Sequence, residues 1–121
     1  MERDIVYNTA RRYQRFSGKP RALALVGDES DNLHYHIVQI GKGGLSFRYL
    51  GKKLNYSEIS KISLYHEDQL IVDSIPVKPI ADFLIRENYF VSVRCHCVCF
   101  KELASEQRQT LDNFIQNYTV A

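Results

Sequence analysis

The stretch His34-Tyr35-His36-Ile37-Val38-Gln39-Ile40-Gly41-Lys42-Gly43-Gly44-Leu45-Ser46-Phe47-Arg48-Tyr49 decides the fold. Two β-prone runs, 34–40 and 44–50, flank Gly41-Lys42-Gly43-Gly44, where residues without a β-carbon take positive φ at little cost. The segment reads as a β-hairpin. Working outward, short runs of similar character at 21–26, 59–65, 69–73, 76–84 and 88–100 alternate with turn signals. That rhythm predicts a mainly β domain, a sandwich or a small barrel.

After Phe100 the period changes. Leu103, Gln107, Leu111, Phe114, Ile115 and Tyr118 recur at spacings of three and four, which predicts one amphipathic helix over 104–118. Its narrow apolar stripe would lie on the barrel and leave Arg108, Asp112 and Gln116 in water. Ahead of the strands, residues 1–20 read as a flexible N-terminal arm that ends in the breaker cluster Ser17-Gly18-Lys19-Pro20. The whole chain, 1–121, reads as one domain, with the barrel over 21–101.

Composition narrows the function. Hydrophobic residues at 45% and charged residues at 25% suit a globular chain with its own core, and a net charge of +2 is too small for a general binder of nucleic acid polymers. No run approaches the roughly 20 apolar residues that cross a bilayer. The opening Met1-Glu2-Arg3-Asp4 lacks a signal-peptide pattern, so the reading is cytoplasmic, without membrane insertion.

Chemistry-bearing residues are few. Cys95, Cys97 and Cys99 alternate along one predicted strand and share a face, with His96 on the other. A structural metal site wants four convergent ligands in spaced pairs, and residues i and i+2 of a strand lie about 7 Å apart, too far for an easy disulfide. Free thiols packed as small apolar groups are the simpler reading. His34, His36, His66 and His96 have no nucleophile partner, and Glu67-Asp68 reads as turn chemistry. Nothing points to an enzyme or a cofactor.

The arm is the sharpest feature. Arg11-Arg12-Tyr13-Gln14-Arg15-Phe16 sets three guanidinium groups beside two aromatic rings. Arginine offers a planar fork of donors for phosphate oxygens and the guanine edge, and a flat face for stacking on a purine. In isolation such a cluster is more often a solvated charge run, and a glycine turn more often only conformational.

In combination and in order, the two resemble the PilZ family, in which an RxxxR arm precedes a D/N-x-S-x-x-G motif that opens a hairpin. Arg11-x-x-x-Arg15 matches the first element; Gln39-Ile40-Gly41-Lys42-Gly43-Gly44 aligns with the second and runs on into Leu45-Ser46-Phe47. Val98-Cys99-Phe100-Lys101-Glu102-Leu103 and the helix after it are similar to the family's last strand and closing helix. The resemblance implies a six-stranded split β-barrel with one C-terminal helix, and cyclic di-GMP as ligand. Arg11 and Arg15 would clamp its phosphate and guanine groups with help from Arg12, while Gln39, Gly41 and Gly44 form the other wall.

Two positions depart from the motif: Gln39 stands at the acidic or amide position and Gly41 at the serine position. Losing a charge-assisted hydrogen bond costs about 1.5–3 kcal/mol and losing a hydroxyl about 0.5–1.5 kcal/mol. Added together these weaken binding by roughly 30- to 2000-fold. The implied role is a bacterial second-messenger effector that changes its arm conformation on binding and regulates a partner protein in trans, in motility or biofilm control. The alternative is a degenerate protein-interaction adaptor that ignores the nucleotide. A monomer or weak dimer is expected.

Overall fold

The computed structural model describes residues 15–19, 21–26, 34–55 and 59–120. In chain order it contains β1 (Arg15–Gly18), β2 (Ala22–Val26), β3 (His34–Gly41), β4 (Gly44–Leu50), β5 (Lys61–His66), β6 (Gln69–Glu87), β7 (Ser92–Phe100), α1 (Ser105–Tyr118) and β8 (Thr119–Val120). Six strands close into an antiparallel barrel in the order β2-β5-β6-β7-β4-β3, with β3 returning to β2. The barrel is split along β3. Its first half pairs with β2 (His36 opposite Leu23), while its last residues pair with β1 (Gly41 opposite Arg15), and β1 in turn carries β8.

Local rules explain the register. In an unbroken strand Ile37 and Ile40 would face opposite sides. A bulge between Ile37 and Gln39 adds one residue and turns both isoleucines inward, where each is fully buried. Beyond the bulge Gln39 and Gly41 face outward, opposite Ser17 and Arg15 of β1. The runs read at 69–73 and 76–84 are one continuous strand, β6. Its kink at Asp73-Ser74, with Ser74 at φ 46°, is held by Ser63 Oγ, which accepts the Ser74 N–H at 2.9 Å. A bulge between Pro79 and Ala81 carries the strand past its second proline, and a further one lies between Leu84 and Arg86.

The core is aliphatic and aromatic, centred on Ile37, Phe47, Ile62, Leu64, Ile75 and Val98. Helix α1 adds Leu111, Phe114 and Ile115, as its three-and-four spacing requires. It sits at the end of the barrel that bears the β3–β4 turn: Arg108 Nη1 donates to the Lys42 carbonyl at 2.8 Å and Gln107 Nε2 to the Ser74 carbonyl at 3.3 Å. Arg108 and Asp112 are therefore half-buried rather than solvated, and only Gln116 stands in water.

Near the other end, a polar cluster has no local signal in the sequence. The Asp82 side chain is fully buried and accepts from Tyr49 Oη at 2.5 Å and Arg94 Nε at 2.6 Å, and it meets His96 Nδ1 at 2.8 Å. Burial pushes the Asp82 carboxyl up, but the three hydrogen bonds outweigh it and hold the group below its ordinary value. Burial and the bond to Asp82 push the Tyr49 hydroxyl up to about 12.

Candidate functional site

The outer surface of the barrel beside the glycine turn is built from three stretches that the fold brings together. Arg15 lies directly across from Gly41, and Gly44 directly across from Cys99. Arg15, Gly41, Gly43 and Gly44 line a cleft of about 50 Å³ with Ile80, Val98 and Cys99. The volume accommodates a water or part of an anion, so a larger ligand would lie across the cleft rather than within it.

The surrounding structure holds the turn firmly. Phe100 N–H donates to the Gly43 carbonyl at 2.9 Å, and Arg108 reaches the Lys42 carbonyl from α1. Gly44 has a packing reason of its own: a β-carbon there would lie 2.2 Å from the Val98 carbonyl oxygen and 3.0 Å from Cys99 Cα. Only a residue without a side chain lets β4 and β7 approach this closely.

Of the residues singled out in the sequence, Arg15, Gly41 and Gly44 come together in the cleft. Gln39 sits two residues from Gly41 on the same outer face, paired with Ser17 and Ser46, and does not line the cleft. Arg11 and Arg12 lie outside the described residues. Arg15 corrects the expectation of an arm running to residue 20: Arg15–Gly18 is a strand, wedged between β3 and β8. Lys19 reinforces it, its N–H donating to the Tyr118 carbonyl and its Nζ to the Asn117 carbonyl, each at 2.9 Å.

The cysteines form the packed face that their alternation predicts, and Cys99 also lines the cleft. Cys95, Cys97 and Cys99 face outward opposite Arg48, Ser46 and Gly44, while His96 faces Phe47 in the core. Cys95 and Cys97 are buried and Cys99 is half-buried. The bond to Cys95 and burial push the Cys97 thiol up, so Cys97 donates, and that donation draws Cys95 down to about 7. Arg15 lies near enough for its charge to oppose the rise at Cys97. Among the described residues no group of three His, Cys, Asp or Glu side chains converges as a metal site, and no helix is long and apolar enough to cross a membrane. Ser17, Ile80 and Cys99 were not legible as site neighbours, because cross-strand register alone brings them here.

Neither a family model nor a curated protein matches the chain. Solved structures do. The PilZ domain of YcgR from Escherichia coli with c-di-GMP is 14% identical with a TM-score of 0.59, over 89% of this chain and 90% of that one. MrkH, a c-di-GMP-dependent transcription regulatory factor, is 15% identical with a TM-score of 0.65, over 88% of this chain and 50% of its own. The K. pneumonia MrkH–c-di-GMP complex is 16% identical with a TM-score of 0.65, over 88% and 51%. The chain thus spans about half the length of the MrkH chains. At these identities the likeness establishes architecture, and the split six-stranded barrel with its closing helix is a PilZ-type fold.

Proposed function

We propose that this domain is a non-enzymatic receptor for cyclic di-GMP. The observation that carries the reading is the placement of Arg15 opposite Gly41 on the outer face, at the cleft bordered by Gly43 and Gly44. A guanidinium beside a turn of small residues suits a phosphodiester or a guanine edge, since the fork supplies donors and the glycines admit close approach. The three solved structures of the same architecture are described with c-di-GMP, which supports the ligand class. Arg11, Arg12 and Arg15 act as the clamp in this reading, Gln39, Gly41 and Gly44 as the opposite wall, and an unidentified protein as the responder in trans. Gln39 and Gly41 weaken the site relative to the full motif.

The second reading is an adaptor that does not bind the nucleotide. What favours it is Gly44, whose identity is explained by the Val98 carbonyl without any ligand. Calorimetric titration of cyclic di-GMP into the native chain and into Arg11→Ala/Arg15→Ala decides between the two. The receptor reading expects saturable heat that the double variant loses. No heat up to high micromolar ligand sinks it in favour of the adaptor, and heat that survives the double variant moves the site elsewhere. A companion variant, Gln39→Asp/Gly41→Ser, is expected to tighten binding.

A further inference from the structure

Among the described residues, five of the eight large apolar side chains that stand exposed gather at the barrel end remote from the glycine turn: Leu50, Leu84, Ile85, Tyr89 and Phe90. Tyr89 and Phe90 are the extreme cases, 101% and 95% exposed at the tip of the β6–β7 hairpin. Such a tip normally carries polar residues. Here the backbone is held by Asn88, whose N–H donates to the Val91 carbonyl at 3.0 Å and whose Oδ1 accepts from Phe90 N–H at 2.9 Å and Val91 N–H at 3.0 Å. The turn is therefore made without any contribution from the two rings, and fold stability does not account for them. Contiguous exposed apolar surface of this kind marks an interaction site.

Two clefts flank the hairpin and share Leu50, one of about 580 Å³ and one of about 340 Å³. Concave seats on both sides of an aromatic ridge suit protruding side chains of a protein, which a lipid surface does not present. Among the described residues the charges bordering the clefts are mostly of one sign: Lys52, Lys53, Arg48, Arg86 and Arg94, the last paired with Asp82, against Glu87. A second copy docked on the same patch about a two-fold axis would bring these cations against themselves.

We infer that the β6–β7 hairpin tip, with Leu50 and the cations around it, is the docking surface for another protein, engaged through an acidic segment that carries apolar anchors. The inference rests on the reading that the module acts through a partner, and it does not require that the nucleotide binds. Gly44 and Leu50 are the two ends of β4, about 20 Å apart at strand rise, so both surfaces can be occupied at once.

The test is a selection of a random dodecapeptide display library on the full chain, repeated with Phe90→Ser and with Lys52→Glu/Arg86→Glu. Enriched peptides are expected to combine acidic residues with Leu, Ile or Phe, and to bind each variant at least tenfold more weakly. Far-ultraviolet circular dichroism and urea unfolding show that the variants fold, as these exposed positions allow. No enrichment, enrichment of peptides without acidic residues, or binding indifferent to both variants overturns the inference. So does recruitment to phosphatidylcholine/phosphatidylglycerol vesicles that Phe90→Ser abolishes, which assigns the tip to lipid, or self-association by sedimentation that the same variant abolishes. Cyclic di-GMP titration of the same samples reads the receptor function separately, because a silent titration leaves the peptide selection interpretable.

Discussion

Substituting Gly44 by alanine separates the two roles that this residue can play. The added β-carbon would lie 2.2 Å from the Val98 carbonyl oxygen, and the atoms opposing it are backbone, as is Cys99 Cα at 3.0 Å. An ordinary carbon–oxygen contact is about 3.3–3.6 Å, so β4 and β7 must part by about 1 Å. Overpacking of this kind costs about 1–3 kcal/mol. Weakening the neighbouring bond from Phe100 N–H to the Gly43 carbonyl adds about 1 kcal/mol. The expected destabilisation is about 2–4 kcal/mol, a large share of the 5–15 kcal/mol typical of a domain. Urea unfolding followed by circular dichroism measures it directly, and in a thermal scan it corresponds to a fall of roughly 8–16 °C. Because the opposing atoms belong to the main chain, Val98→Ala added to Gly44→Ala brings no rescue. A Gly44→Ala protein within about 0.5 kcal/mol of native, the ordinary range of a surface change, would refute the packing argument and leave the glycine to be explained by its ligand. So would rescue by Val98→Ala.

Other consequences are equally open to measurement. Asp82→Asn breaks a buried, three-partner carboxylate site and is expected to cost about 3–5 kcal/mol in the same urea assay. The folded pKa of Asp82 lies below its unfolded value, so the stability it contributes is present above about pH 4 and fades as pH falls through the depressed value. Native protein should therefore lose more stability than Asp82→Asn on acidification, and parallel pH profiles would count against the network. Tyr49 has the opposite sign: its pKa is raised to about 12, so its contribution is intact below pH 10 and declines by about 1.4 kcal/mol per pH unit above it. Tyr49→Phe should flatten that alkaline limb. A thiol-reactive dye should label half-buried Cys99 ahead of buried Cys95 and Cys97, and saturating cyclic di-GMP should slow the reaction at Cys99; equal rates at all three thiols in the folded protein would contradict the burial.

The sequence revealed the fold wherever the pattern was periodic. The 34–50 hairpin declares itself by β-prone runs around a glycine turn and the closing helix by three-and-four spacing, and both lie within a residue or so of their expected bounds. It hid the fold where side-chain chemistry stands in for regular signals. Asp73-Ser74, Pro76 and Pro79 look like punctuation, yet β6 runs through them because bulges absorb the misfit. Asn88-Tyr89-Phe90-Val91 looks like strand because two aromatics occupy the corner of a turn held by an asparagine side chain. Arg15–Gly18 is too short to show alternation, and only its place beside β3 makes it a strand. Of the candidate site, Arg15, Gly41 and Gly44 were legible through motif order. Cys99 and Ile80 were not, nor was the set Tyr49, Asp82, Arg94 and His96, because these neighbours meet only across strands.

The brace between β1 and β8 bears on how the chain behaves while it is being made. Ser17 pairs with Val120, and Gly44 with Cys99, so the cleft and its brace join stretches that lie far apart along the chain. A nascent chain that has released only the glycine hairpin holds Gly41 and Gly44 but neither the strand beneath them nor the final brace on Arg15. The cleft is therefore assembled only when strands from both sides of the barrel have come together, and a chain interrupted before Cys99 lacks one of its walls.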